Sequence, residues 1–271
     1  MIKTWKITKT KPNEIQFDDV SSLDSITRQL PDGYYSTFRT YDACTRVIGL
    51  SAHLRRLPEV DASSLRRQLI RLLEPFRPDL YEARVRVVQT FQGQVYIAIE
   101  PLKPLTRDVY EKGVRVETTA IQRDSPRLKS TAFIGASDSE RRHIAQVGIF
   151  ESLLVKNGKI LEGMTSNFFY VGHVSNLPYV GTAQRDILLG VTRRNVIRAA
   201  RGRGVEVRYR ALELSQLAAV KEAFITSSSR GIVPVIQIDK LRVGQGSPGE
   251  VTRLLMSAYD EYVFMHAEKI Y

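Results

Sequence analysis

The sequence predicts an α+β protein of two domains, on three observations. Strand-like and helix-like stretches mix along the chain without regular βαβ alternation, which argues against a doubly wound sheet. The 271 residues suffice for two modest domains with real cores. A polar stretch around Pro126, "QRDSPRLKS", interrupts the pattern near the middle. We therefore expect a small N-terminal domain over 1–117, a linker over 118–128 and a larger C-terminal domain over 129–271.

The elements follow in chain order. Residues 1–20 hold short mixed stretches with no readable pattern. "GYYSTFRTYDACTRVIGL" (33–50) is aromatic and β-branched, and predicts two strands with a turn near Asp42. "SAHLRRL" starts a helix with Ser51 as its N-cap. Over 62–76, Leu65, Leu69, Leu72 and Leu73 share one helical face, and Pro75 marks the end. "ARVRVVQT" (83–90) alternates as a half-buried strand, answered by "QGQVYIAIEPL" (92–102). Gly113 introduces a strand from Val114 to Ile121, and 137–152 carries a helix. Asn157-Gly158 is a strong hairpin signal, because both residues tolerate positive φ. A strand-like run, Phe168 to Val171, follows that hairpin, and "GVTRRNVIRAARGRG" (190–204) is a helix closed by glycines. Residues 215–229 read as a helix feeding a strand, 232–239 as a strand, and 248–270 as a long amphipathic helix presenting Val251, Leu254, Leu255, Tyr259, Tyr262 and Val263.

Composition narrows the function classes. Hydrophobic residues make up 43% and charged residues 25%, the balance of a soluble globular protein. No apolar run reaches the roughly 20 residues of a membrane span, and "MIKTWKITKTKPNEIQ" has no signal-peptide core. Cys44 is the single cysteine, so no internal disulfide forms, and no Cys/His cluster has metal-ligand spacing. These features point to the cytoplasm. The net charge of +11 raises the question of a polyanionic partner. The basic residues are spread along the chain, as on solvated helix faces, which argues against nucleic acid.

Four features bear on chemistry. Lys129 in "SPRLKS" is either a solvated loop residue or a lysine that forms a Schiff base from a sheltered pocket. Glu162 is a lone carboxylate where the second hairpin strand should stay apolar. A buried charge is costly unless paired. It either faces water at a bulge beside Gly163 or faces a cationic ring nitrogen. "GVTRRN" (190–195) is a glycine-led helix start, whose free N–H groups suit phosphate. "FITSSS" (224–229) places hydroxyls after a strand, as a turn or as phosphate donors.

Together these stretches resemble the class IV, or fold-type IV, aminotransferase family. It contains branched-chain aminotransferases, D-amino acid aminotransferases and aminodeoxychorismate lyases. "DGYYSTFRTY", "HLRRL", "LEGMTSNFF", "GVTRRNVI" and "EAFITSSSRGIVPVIQID" look like its motifs, in family order, from about Asp32 to Val235. The resemblance implies a small α/β sandwich followed by a larger pseudo-barrel, a homodimer, and pyridoxal 5′-phosphate as cofactor. It implies transfer of an amino group between an amino acid and a 2-oxo acid. The alternatives are a lyase that releases pyruvate or an inactive member acting as a basic binding protein.

The resemblance also implies roles. Lys129 would hold the cofactor as an internal aldimine and shuttle a proton. Glu162 would pair with the pyridine nitrogen. Arg56, Val191, Thr192 and Ser228 would bind the phosphate. Asn167, in the signature, belongs with the cofactor set. Tyr35, Thr37 and Arg86 are substrate-side candidates, and His53 is structural. Three departures stand out. Ala132 replaces the asparagine many relatives carry three positions after the lysine. Only Asp32-Gly33 remains of an N-terminal run. Leu189 replaces a proline.

Overall fold

The computed structural model of the protein describes residues 2–8, 11–58, 60–79, 82–175 and 177–270. The chain divides into two compact units. The first comprises Met1–Lys103, Leu128–Ala136 and Val263–Tyr271, and the second Pro104–Arg127 and Ser137–Tyr262.

The first unit begins with strands β1 (Lys3–Ile7) and β2 (Pro12–Ile15), helix α1 (Leu23–Gln29), and strands β3 (Gly33–Arg39) and β4 (Arg46–Ile48). Helices α2 (Leu50–Leu54) and α3 (Ala62–Leu73) and strands β5 (Ala83–Thr90) and β6 (Val95–Pro101) follow. Five strands make one sheet in the order β2-β1-β6-β5-β3. One sheet face, with Phe38, Val85, Val87, Ile97 and Ile99, packs with Leu50 and Leu54 of α2 and Leu65, Leu69, Leu72 and Leu73 of α3. Tyr35, Val88 and Tyr96 pack with Ile134, and Ala98 packs with Leu23 and Ile26 of α1.

This is the expected α/β sandwich; two local expectations are corrected, one unread stretch is resolved, and one expectation holds. Strand β5 is buried almost throughout, because helices cover both faces of the sheet. The unreadable first twenty residues supply β1 and β2. Ser51 lies inside α2, whose N-cap is Gly49 in the left-handed region, and the Ser51 hydroxyl donates to Glu268. His53 is structural as expected: it is fully buried, with Nδ1 2.9 Å from Ser36 Oγ.

Between β3 and β4, Asp42, Ala43 and Cys44 all have positive φ. Beside them Thr40 Oγ1 donates to the buried Glu82 carboxylate at 2.7 Å. Burial pushes the Glu82 carboxyl above its ordinary value, against the lowering effect of the Thr40 bond. Stability from a raised carboxyl is present below the unfolded value and is lost as pH rises through the folded one. Relative to Glu82→Gln, the wild type is therefore expected to gain stability as pH falls from neutral toward 4.5. Thermal melts across that range check the sign, and a flat or inverted difference contradicts it.

The second unit contains α4 (Arg107–Lys112) and β7 (Val114–Thr119). The chain then returns to the first unit for α5 (Ala132–Ala136). It continues with α6 (Asp138–Val147), β8 (Glu151–Lys156), β9 (Lys159–Gly163), β10 (Asn167–Val174) and β11 (Leu177–Gly181). Next come α7 (Val191–Gly202), β12 (Glu206–Arg208), β13 (Leu212–Glu213), β14 (Glu222–Ser227), β15 (Gly231–Ile238) and β16 (Leu241–Arg242). Helix α8 (Glu250–His266) and strand β17 (Ala267–Lys269) end the chain, and β17 pairs with β4 in the first unit.

The sheet runs β12-β11-β10-β14-β15-β7-β8-β9-β13, and β9 also pairs with β10. Six strands thus close on themselves: β10, β14, β15, β7, β8 and β9. This is the expected barrel-like domain. One face of the ring carries Val116, Leu153, Ile160, Phe168, Tyr170, Ile225, Val233 and Val235 in a continuous core. Alternation puts Asn167, Phe169, Phe224 and Thr226 on the other face, where Phe169 stacks on Phe224 at 4.9 Å.

The units differ from the expected division. Strand β7 lies between β15 and β8, so 104–117 joins the second unit, whereas Lys129 joins the first. Two helices are also shorter than expected. Residues 214–219 form only a 3₁₀ turn before β14, and α8 ends at His266 because the next three residues pair with β4. Leu254, expected on the buried face of α8, is 40% exposed. Among the described residues no helix is long and apolar enough to cross a membrane, and no group of three or more His, Cys, Asp or Glu could hold a metal.

Candidate active site

In the first unit Lys129 is placed by strand-like pairing against β3. Tyr35 N donates to Lys129 O at 2.9 Å, and Thr131 N donates to Gly33 O at 2.9 Å. The Thr131 hydroxyl accepts from Gly33 N and donates to Asp32 Oδ1, both at 2.9 Å. The departure at Ala132 therefore leaves the lysine anchored, because Thr131 supplies the polar tie. Lys129 is half-buried, with Nζ 4.7 Å from the centre of the Tyr35 ring. A face of electron density attracts an ammonium at that range.

Tyr35 is also the meeting point of the substrate-side candidates. The Arg86 guanidinium lies 4.7 Å from the same ring centre, and Arg86 Nε donates to Thr37 Oγ1 at 3.0 Å. Arg86 is 3% exposed and is paired with Asp24, a residue with no signal in the sequence. Arg56 stands in the turn after α2, half-buried.

In the second unit the question raised by Glu162 has a structural answer. The register between β8 and β9 shifts: Leu154 faces Glu162, but Val155 faces Ile160. Leu161 is thus an extra residue, a bulge of the kind that re-aims a side chain. In a regular, unbulged strand Glu162 would share the face of Ile160, in the apolar core. With it Glu162 pairs across to Asn167, on the face opposite that core.

The carboxylate is 2% exposed, and three donors are described on it. Arg123 Nε donates to Oε1 at 2.9 Å. Leu188 N and Asn167 Nδ2 donate to Oε2 at 3.0 and 3.2 Å. Arg123 also donates to Met164 O at 2.6 Å, so it ties both ends of the Glu162–Gly163–Met164 segment. Sequence reasoning missed Arg123. It stands in a polar loop 39 positions before its partner, and nothing local marks it.

Two glycines make this packing feasible. A Cβ on Gly163 would collide with Ser166 Oγ, and one on Gly190 would collide with Asn167 Oδ1. Asn167, expected among the cofactor ligands, directs its amide to Glu162 and to Leu188 O at 2.8 Å. It therefore buttresses the carboxylate. Glu151, buried on β8, performs a similar service for the next turn. It accepts from Thr165 N at 2.7 Å and from Arg230 Nη2 at 2.9 Å.

Gly190 caps α7, and the N–H groups of the first helical turn have no intrahelical acceptor. Thr192 Oγ1 lies 3.2 Å from Ser228 Oγ. The structure therefore brings the helix start and the serine-rich turn together. Arg193, the third helical residue, points away into a buried bond with Ala183 O at 2.7 Å. Burial lowers its guanidinium from the ordinary value.

These residues fit a phosphorylated, cationic-ring cofactor. Among the described residues, Thr226 Oγ1 and Ser166 Oγ are buried without a hydrogen-bond partner. Thr226 shares the sheet face of Asn167 and Glu162. Buried hydroxyls without a partner are costly, and a polar group bound beside them would satisfy them. The helix start with Thr192 and Ser228 offers donors suited to a phosphate, and Glu162 offers a carboxylate to a ring nitrogen.

Residues 33–238 match the family described as amino-transferase class IV. The chain is similar to the D-alanine aminotransferase of Bacillus licheniformis, at 24% identity over 263 residues, covering 89% of this chain and 91% of that one. It is 26% identical over 258 residues to the aminodeoxychorismate lyase of Bacillus subtilis, covering 85% of each. Its fold is similar to that of a hypothetical aminotransferase from Mycobacterium tuberculosis in its PLP-bound form. That match has a TM-score of 0.78 and 19% identity, and covers 97% of this chain and 99% of that one.

Proposed function

Because the chain belongs to the amino-transferase class IV family, we propose that it uses pyridoxal 5′-phosphate to move an amino group between an amino acid and a 2-oxo acid. When bound, the cofactor supplies an electron sink for the charge left by removal of a Cα proton. The chain supplies the rest. Lys129 Nζ holds the cofactor and takes the proton from the substrate Cα. Glu162 keeps the ring nitrogen protonated by facing it with a negative charge. The N–H groups of Val191 and Thr192, the hydroxyls of Thr192 and Ser228, and the Arg56 fork hold the phosphate. Asn167 and Arg123 hold Glu162. Tyr35, Thr37 and Arg86 border the substrate. The working enzyme is a cytoplasmic homodimer.

The observation that carries this reading is the Glu162 carboxylate. It is turned out of an apolar core by a bulge, almost fully buried, and braced by three donors. Arg123 already compensates the charge, so what supports the reading is its placement: the bulge holds the carboxylate on the sheet face of Asn167 and Thr226, where a ring nitrogen would meet it.

The likeness to the Bacillus subtilis aminodeoxychorismate lyase favours a second reading, pyruvate release on the same cofactor. One experiment separates them. Purified protein with pyridoxal phosphate should show the visible absorbance of lysine-bound cofactor. Amino donors should shift it to that of the amino form, and 2-oxo acids should restore it. Pyruvate from aminodeoxychorismate without any such exchange favours the lyase. No cofactor uptake at all overturns both readings.

A further inference from the structure

Asp24, on α1, is the counter-charge of Arg86. Arg86 stands on β5 with its side chain 4% exposed, and a guanidinium so buried needs compensation. Its Nη1 donates to Asp24 Oδ1 at 2.6 Å and to Thr27 Oγ1 at 2.9 Å, both on α1. Its Nε donates to Thr37 at 3.0 Å. Its remaining nitrogen, Nη2, makes no hydrogen bond among the described residues. The guanidinium lies against the Tyr35 ring, which also carries Lys129 Nζ. Arg86 is thus one aromatic ring away from the amine that would meet the substrate.

Left alone, such an arginine would recruit a second carboxylate on the substrate side chain, since guanidinium and carboxylate pair strongly. The Asp24 carboxylate is already in that place. The pair is neutral overall, and an incoming carboxylate at Nη2 would meet a like charge within a few ångströms. In a largely dry setting that repulsion is weakly screened. A neutral side chain meets no such penalty.

We propose that Asp24 is a specificity-determining residue: by neutralising Arg86 it turns the substrate pocket against amino acids and 2-oxo acids with a distal carboxylate and toward those with a neutral side chain. This inference rests on the aminotransferase reading.

The test uses 2-oxo acids, which have no chirality at Cα. Holoenzyme converted to its amino form is mixed with 2-oxoglutarate or 2-oxohexanoate in single turnover. Wild type should favour 2-oxohexanoate. Asp24→Asn keeps a partner for Arg86 but removes the charge, and should raise the 2-oxoglutarate to 2-oxohexanoate ratio of kcat/KM by roughly tenfold or more. Glutarate and hexanoate binding, measured by calorimetry on the same proteins, should shift the same way without any turnover. Asp24→Glu, which retains the charge, should stay near the wild-type ratio and serves if Asp24→Asn does not fold. A wild type that prefers 2-oxoglutarate, an unchanged ratio in Asp24→Asn, or a tenfold rise in Asp24→Glu would overturn the proposal. Absence of any half-reaction in the wild type instead sinks the aminotransferase reading, and the binding ratio then decides Asp24 by itself.

Discussion

Glu162→Gln is expected to slow amino transfer by roughly 10²–10³-fold, the usual cost of removing one preorganised electrostatic partner. The protein should still take up pyridoxal phosphate, because Lys129 and the phosphate donors are untouched. Glutamine matches the shape of glutamate but carries no charge, so it cannot favour a protonated ring nitrogen. The same change affects stability, since Arg123 is 5% exposed at its side chain and loses its counter-charge. Breaking a buried pair from one side costs about 3 kcal/mol or more. The two effects separate in the double variant Arg123→Met/Glu162→Gln. It removes both charges and should recover much of the melting temperature while the rate stays low. Turnover in Glu162→Gln within a few-fold of wild type would show that the carboxylate does not serve the ring nitrogen.

Lys129→Ala should abolish the visible absorbance of bound cofactor and reduce turnover by at least about 10³-fold. Loss of a proton-transfer group alone accounts for roughly 10²–10⁴, and here the attachment point is lost as well. The fold should survive. The Nζ contact with the Tyr35 ring contributes only about 0.5–1 kcal/mol, and the pairing with β3 uses the backbone of residue 129. Unchanged absorbance in Lys129→Ala, with the melting transition intact, would remove this lysine from the mechanism.

How much of this was legible in the sequence varies by element. The hairpin at Asn157-Gly158, the α3 leucine face and the α7 start were readable because their signals are local: turn residues, periodicity, a glycine cap. The motifs from "DGYYSTFRTY" to "EAFITSSS" pointed to the family, and residues 33–238 match it. The failures are as instructive. The half-burial expected of β5 missed that helices cover both sheet faces. Of the helix feeding a strand expected over 215–229, the strand is present as β14 but the helix is only a 3₁₀ turn. The extended C-terminus pairs with β4, more than two hundred residues away. Residues 104–117 went to the second unit because β7 pairs there with two strands.

The sequence by itself determined which residue types could do the chemistry: a lysine, a carboxylate in a strand, a glycine-led helix and a hydroxyl-rich turn. Only the tertiary structure decided where the charges are compensated. Arg123 on Glu162, and Asp24 on Arg86, are pairings across 39 and 62 positions. They arise because a buried charge takes whichever counter-charge the folded chain brings within reach, and sequence distance carries no information about that. The bulge at Leu161 belongs to the same class. It is a mismatch between two paired strands, so it exists only once both are in place, and it is what turns Glu162 out of the apolar core.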